Sequence, residues 1–217
     1  MIIAKTANQA WKEILKLILD KGIDFNDENK RTCREVFNIL IRLEEPEKEI
    51  TRPIKILNDF KNWKYPSIED IKQVMLSNKG TPDYSYSYGP RMFNFQNKID
   101  QINDFIIPLL KESPSSRRAT IIVWDPVQDS NVFKRDIPGL VMIDFKLRKE
   151  RLNMTAVIRS NDVFFGWPAN IYQLFELQNF ISRKIGCKIG TLDTFSISAH
   201  IFEDQFEFIK KVLDIKD

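Results

Sequence analysis

The sequence predicts an α+β fold, a mixed or antiparallel sheet covered by helices. Apolar residues recur at helical spacing in three long stretches, and β-branched or alternating runs fall between them. No internal repeat or low-complexity tract interrupts this pattern, so residues 1–217 read as a single domain.

Taken in order, residues 9–21 (QAWKEILKLILDK) set Trp11, Ile14, Leu15, Ile18 and Leu19 on one helical face, and Gly22 ends the helix. GIDFNDENKRTCRE reads as a polar loop, and VFNILIRLEEPEKEI as a strand running out into charge and Pro46. Residues 46–80 read as a connection with one short helix at SIEDIKQVML, where Ser67 and Asp70 fit a capping box. TPDYSYSYGP is turn-rich, and KIDQINDFIIPLLKES carries Ile99, Ile102, Phe105, Ile106 and Leu109 at helical spacing. ATIIVWDP reads as a buried strand, and GLVMIDFKLRKERLNMTAVIRS as a hairpin turning at RKER. ANIYQLFELQNFISRKIG reads as a second strong helix, and GTLDTFSISAHIF as a strand leading into a last helix, EDQFEFIKKVLDIKD.

With 43% hydrophobic and 29% charged residues, 217 residues suffice for a real core. The formal charge of +3 falls short of a nucleic-acid binder's Lys/Arg stripe, and Lys146, Arg148, Lys149 and Arg151 read as a solvated hairpin tip. Two cysteines, Cys33 and Cys187, in no ligand spacing, and one histidine, His200, argue against a zinc site, and no other metal site is expected. No apolar run reaches the ~18 residues of a membrane span. The N-terminus lacks a signal-peptide layout, so a cytoplasmic location with reduced thiols is the expectation.

Four polar elements stand out: Arg31 in its loop, Arg117 and Arg118 before a strand, Arg159 and Ser160 at a strand end, and Asn170 at a helix start. Taken singly, each fits a solvated surface, Asn170 fits a helix cap, and His200 fits a satisfied core histidine. Together they fit another pattern. RSNDVFFGWPANIY resembles the thymidylate synthase signature Arg-Ser-x-Asp-x-x-x-Gly-x-Pro-x-Asn-Ile, and five more segments match that family in register. These are Lys30-Arg31-Thr32, YSYGPRMF, DQI at 100–102, SPSSRR, and TFSISAHIF.

The resemblance implies a site for a pyrimidine nucleoside monophosphate, dUMP- or UMP-like. Arg31, Arg159 and Ser160 would surround the phosphate, with Arg117 and Arg118 reaching in from the other subunit of a homodimer; guanidinium groups bind phosphate oxygens bidentately. Asn170 would read the N3 hydrogen and O4 of a uracil-type base. Asp162 would hold the loop over the base, and His200 would face the sugar.

The sequence also departs from the family. Where the family carries the nucleophilic cysteine of a Pro-Cys-His run, which attacks C6 of the pyrimidine, this chain has Pro138-Gly139-Leu140. Phe202 replaces a sugar-contacting tyrosine, and Met92 and Phe95 stand where tryptophans are usual. No counterpart of the family's C-terminal tail over the folate is expected after His200 and the last helix, so the resemblance leaves the cofactor, folate included, open. Cys33, two residues beyond Arg31, is the remaining thiol near the expected site, and neighbouring arginines would lower its pKa. Two functions compete: a transferase modifying pyrimidine C5 without the usual cysteine, and a catalytically silent relative that senses a nucleotide or pairs with a partner protein.

Overall fold

The computed structural model describes residues 1–79 and 87–215. Its described residues form a seven-stranded mixed sheet packed against helices, an α+β architecture. The strands are β1 (Ile2–Ala4), β2 (Ile23–Asn26), β3 (Thr32–Leu43), β4 (Thr120–Ile122), β5 (Leu140–Arg148), β6 (Arg151–Asp162) and β7 (Lys188–Phe202). Their order is β1-β3-β7-β6-β5-β4, with β2 beside β3. β1 runs parallel to β3 and β6 parallel to β7, and the other neighbours are antiparallel.

Helix α1 (Ala7–Lys21) starts where the Thr6 side chain accepts from the Gln9 amide, and buries Trp11, Ile14, Leu15 and Ile18. As the periodicity predicts, Gly22 closes it, its N–H donating to the Ile18 carbonyl. The supposed loop after it is a hairpin. All four residues of β2 are exposed, so no hydrophobic alternation marked it, yet β2 pairs with β3 from Thr32 onward. Between β3 and β4 lie α2 (Arg52–Asp59), α3 (Ile68–Leu76), α4 (Tyr88–Phe93) and α5 (Ile107–Glu112).

The capping box on α3 is present: Ser67 Oγ accepts from the Asp70 amide at 3.2 Å, and Asp70 from the Ser67 amide at 3.3 Å. Helix α2 escaped prediction because Pro53 reads as a breaker. It sits in the first turn, where a missing N–H costs nothing, and Ile54, Ile56 and Leu57 behind it are buried. The expected helix at 98–113 is split: residues 101–106 wind as a π-helical turn before α5. Pro108, without an N–H, stands at that junction. The turn-rich stretch over 80–86 lies outside the described residues.

ATIIVWDP yields only the short edge strand β4, with Ile121 buried and Ile122 42% exposed, so it is not the buried strand expected. The β5–β6 hairpin turns at Lys149 and Glu150, both at positive φ, as a tight two-residue turn requires. A short helix α6 (Pro126–Asp129) follows β4, α7 (Gly166–Ile185) links β6 to β7, and α8 (Phe206–Asp214) follows β7. Helices α1 and α7 lie on β3, β6 and β7. Leu152, Met154, Ala156 and Ile158 of β6 join Leu192 of β7 and Ile41 and Leu43 of β3 in the core beneath them. On the opposite face Ile3, Phe37, Ile122 and Ile197 are large, apolar and exposed.

Candidate functional site

The alternation of buried and exposed residues changes phase at one level in three adjoining strands. In β6 the buried residues are 152, 154, 156 and 158, then 161; in β7 they are 190, 192, 194 and 196, with Asp193 also covered, then 199 and 201. In β3, Phe37 and Asn38 are both exposed, with Asn38 at φ 57°. Strand side chains normally alternate between faces. The phase change therefore leaves two consecutive residues of β6, Arg159 and Ser160, outside the core.

The corner after Ser160 is held from several sides. Asp162 Oδ1 accepts from the amides of Phe164 and Phe165, both at 3.0 Å. Trp11 of α1 donates to the Val163 carbonyl at 2.8 Å, Tyr65 to that of Phe165 at 2.6 Å, and Trp167 to Thr194 Oγ1 at 3.2 Å. The rings of Trp11, Trp63, Phe164 and Phe165 pack around this backbone. Burial raises the Asp162 carboxyl to about 6, against the pull of those amides.

Gly166 lies between the two polar groups of the corner. A Cβ added there would stand 3.4 Å from Asp162 Cβ and 3.9 Å from Asn170 Nδ2. Helix α7 begins at Gly166, so Asn170 sits in its second turn and is not the helix cap. Half-buried, Asn170 has no side-chain hydrogen bond among the described residues.

Facing the corner is the segment before β5. The Arg159 amide donates to the Gly139 carbonyl at 2.8 Å, and its guanidinium to the carbonyls of Pro138 (3.0 Å) and Ile137 (3.1 Å). A Cβ at Gly139 would lie 2.9 Å from the Ser160 carbonyl oxygen, 3.8 Å from the Tyr88 hydroxyl and 3.9 Å from Ile158 Cγ2. Backbone thus closes on the position where the resemblance puts a nucleophile. Further back the segment is anchored by a buried charge cluster, in which Asp129 accepts from Arg91 at 2.9 and 3.1 Å and from Lys134 at 2.9 Å.

On the other flank, Asp27 Oδ1 accepts from the amides of Asn29 and Arg31, both at 2.8 Å, and shapes the β2–β3 turn. The Arg31 guanidinium lies over the Phe202 ring, 3.5 Å from its centroid, and 3.5 Å from Asp204. Arg135 reaches across to Asn29 Oδ1 at 3.2 Å. His200 packs edge-on to Phe202, its carbonyl accepting from the Val163 amide, and burial lowers its pKa to about 4, so its imidazole is neutral at pH 7.

Arg159, Ser160, Asp162, Asn170 and His200 are therefore gathered at one end of β6 and β7, and Arg31 borders them over Phe202. Arg117 and Arg118 are not. They are exposed ahead of β4, at the sheet edge two strands from β6. Cys33 requires a correction. It lies in β3, 1% exposed, its Sγ 3.4 Å from the Arg31 carbonyl, and burial pushes its thiol up instead of down. Among the described residues no group of three His, Cys, Asp or Glu could hold a metal ion, and no helix is long and apolar enough to cross a membrane. Sequence reading missed Tyr88, Glu35 and Arg135 as neighbours of this region; only Tyr88 carried a signal, inside YSYGPRMF.

Comparison with known proteins gives this corner a lineage. A family model described as thymidylate synthase matches residues 48–216, which include the whole β6–α7 corner. The chain belongs to the thymidylate synthase family. A protein named "Putative thymidylate synthase" from Methanosarcina barkeri is 32% identical over 213 residues, covering 98% of this chain and 94% of its own. One of the same name from Methanocaldococcus jannaschii is 30% identical over 209 residues, covering 93% and 90%. The deoxyuridylate hydroxymethyltransferase of Bacillus phage SP01 is 24% identical over 236 residues, covering 95% of this chain and 61% of the phage protein. The thymidylate synthase family binds pyrimidine nucleotides, and the polar end of β6 and β7 is the region of this member that bears its signature.

Proposed function

We propose that this thymidylate synthase family member binds a pyrimidine nucleoside monophosphate of the uridylate type at the β6–α7 corner. The observation that carries this reading is the Asn170 amide. It stands beside Asp162 across Gly166, on a corner held by Trp11 and Tyr65, without a hydrogen-bond partner among the described residues. A half-buried amide left open on a fixed backbone suits a planar base edge offering one donor and one acceptor.

In this reading Arg31, Arg159 and Ser160 take the phosphate, and Arg117 and Arg118 of a second subunit complete the cradle. Their distance from it within one chain is what a shared site requires. The exposed apolar residues Phe37, Ile122 and Ile197 on the helix-free sheet face supply a surface for that homodimer. His200 contacts the sugar as a neutral imidazole. The homodimer and the role of each residue belong to this proposal, as does a cytoplasmic setting.

The names of the relatives point to chemistry at pyrimidine C5, a transferase reaction. One feature of the site favours a second reading, a nucleotide-binding member without that chemistry. Gly139 offers no side chain to attack C6, and Ser160's carbonyl fills the space where one would begin. A folate-borne one-carbon transfer, which needs C5 made nucleophilic first, does not fit residue 139 as it stands.

Thermal shift with dUMP, UMP, dCMP and dTMP tests the site: uridylates at millimolar concentration are expected to raise Tm, and no shift with any of them removes the reading. Release of tritium from C5 of dUMP, with and without a reduced folate, then separates the two functions. Release by the native protein establishes C5 activation; its absence in a protein that binds dUMP establishes the silent member.

A further inference from the structure

Glu35 lies in the same region and has no place in the family signature. It pairs with His200 across β3 and β7, and His200 pairs with Asp162 across β7 and β6, so the three form one row on the helix-free face. The Ser198 hydroxyl donates to Glu35 Oε2 at 2.6 Å, and Ser198 is itself in register with Ser160. The carboxylate is therefore oriented, half-buried, and without a cation partner among the described residues.

A carboxylate fixed this way repels a phosphate and seeks donors. Within the nucleotide reading, which this inference deepens, the sugar hydroxyls are the donors nearest to His200. We propose that Glu35 reads the sugar, accepting hydrogen bonds from the 2′- and 3′-hydroxyls, so that the site takes a ribonucleoside monophosphate in preference to its 2′-deoxy form.

Two arguments support the assignment. A vicinal diol presents two hydroxyls to two carboxylate oxygens, the way acidic residues hold the ribose in dinucleotide-binding folds. In addition, position 202, two residues along β7 from His200, carries phenylalanine in place of the family's tyrosine. The ring is covered by Arg31, so no hydroxyl reaches the sugar from there. Glu35, on the adjoining strand, supplies the missing acceptor. A site built to accept from a hydroxyl discriminates against the ligand that lacks it, because the acceptor is left desolvated and unpaired.

Calorimetric titration of native protein with UMP and dUMP at one ionic strength tests this without any variant. UMP is expected to bind about tenfold more tightly, the worth of one hydrogen bond to a charged group. Glu35→Ala should bring the two affinities within about twofold, and Glu35→Gln should retain an intermediate preference, with circular dichroism reporting the fold. Equal or tighter binding of dUMP by native protein overturns the inference while leaving the nucleotide site standing. So does a preference that survives Glu35→Ala, or an equal weakening of both ligands by it, which marks Glu35 as structural. If neither nucleotide binds, the nucleotide reading itself falls, and this inference with it.

Discussion

The two sides of the site are built differently. At the β6–α7 corner, side chains from α1, α2's following loop and β7 fix the backbone, and polar groups such as Asn170 are left facing out. Across from it, residues 137–139 contribute backbone: three carbonyls satisfied by Arg159, and a glycine pressed against Ser160. One side is a fixed backbone carrying open polar groups, whereas the other presents no reactive side chain at residue 139. Under the proposed nucleotide reading, the fold keeps the recognition half of a site while its reactive half is closed. The two halves meet at Arg159.

Arg159→Ala should therefore have the largest effect. It removes the bonds that tie the two sides together and one proposed phosphate ligand, and charge-assisted hydrogen bonds of this kind are worth about 1.5–3 kcal/mol each. Nucleotide affinity is expected to fall roughly 10- to 100-fold by titration. Arg159→Lys should recover only part of it, since a point charge cannot span both carbonyls. A full rescue by lysine would break the idea that geometry matters there.

Next comes Gly139→Cys, which asks whether the reactive half can be reopened. With Cβ 2.9 Å from a carbonyl oxygen, backbone must move, and overpacking of this kind costs roughly 1–3 kcal/mol. The expected result is a lowered Tm and no tritium release from C5. Release by the variant would show that the segment yields readily and that chemistry was lost at one residue.

A smaller effect is expected on the helix-free face. Ile197→Asp places a charge on an apolar, 44% exposed position of β7. If this face joins two subunits, light scattering should show the native dimer shifting toward monomer, and nucleotide affinity should fall with it because Arg117 and Arg118 leave the site. An unchanged mass would separate the arginines from the cradle.

How far these features could be read in the sequence depended on where their signal lies. Helix α1, the capping box of α3 and the β5–β6 hairpin follow from local spacing, and the structure has them. Strand β2 was invisible because all its residues are exposed, and α2 because its proline sits where proline is harmless. The polar residues of the corner were legible from a motif, but their environment was not. The sequence places Cys33 beside Arg31 and so suggests an activated thiol; only the sheet shows it buried, with burial outweighing charge. Glu35 was hidden for a related reason: its significance comes from His200 and Ser198, more than 160 residues away in sequence and adjacent in space.

The smallest expected effect is a pH dependence that cancels itself. Asp162 has its pKa raised from 3.8 to about 6, so the stability it contributes is complete below 3.8 and lost as pH rises through 6. His200 has its pKa lowered from 6.5 to about 4, so its contribution is complete above 6.5 and lost as pH falls through 4. The two slopes are opposite in sign and occupy nearly the same window. Native Tm should therefore vary little between pH 4 and 6.5 on their account. Asp162→Asn, which keeps an acceptor for the Phe164 and Phe165 amides, should unmask a Tm that climbs with pH across that window, while His200→Gln should unmask one that falls. The same slope in both variants would mean that the row Glu35, His200 and Asp162 is more open to water than its packing implies.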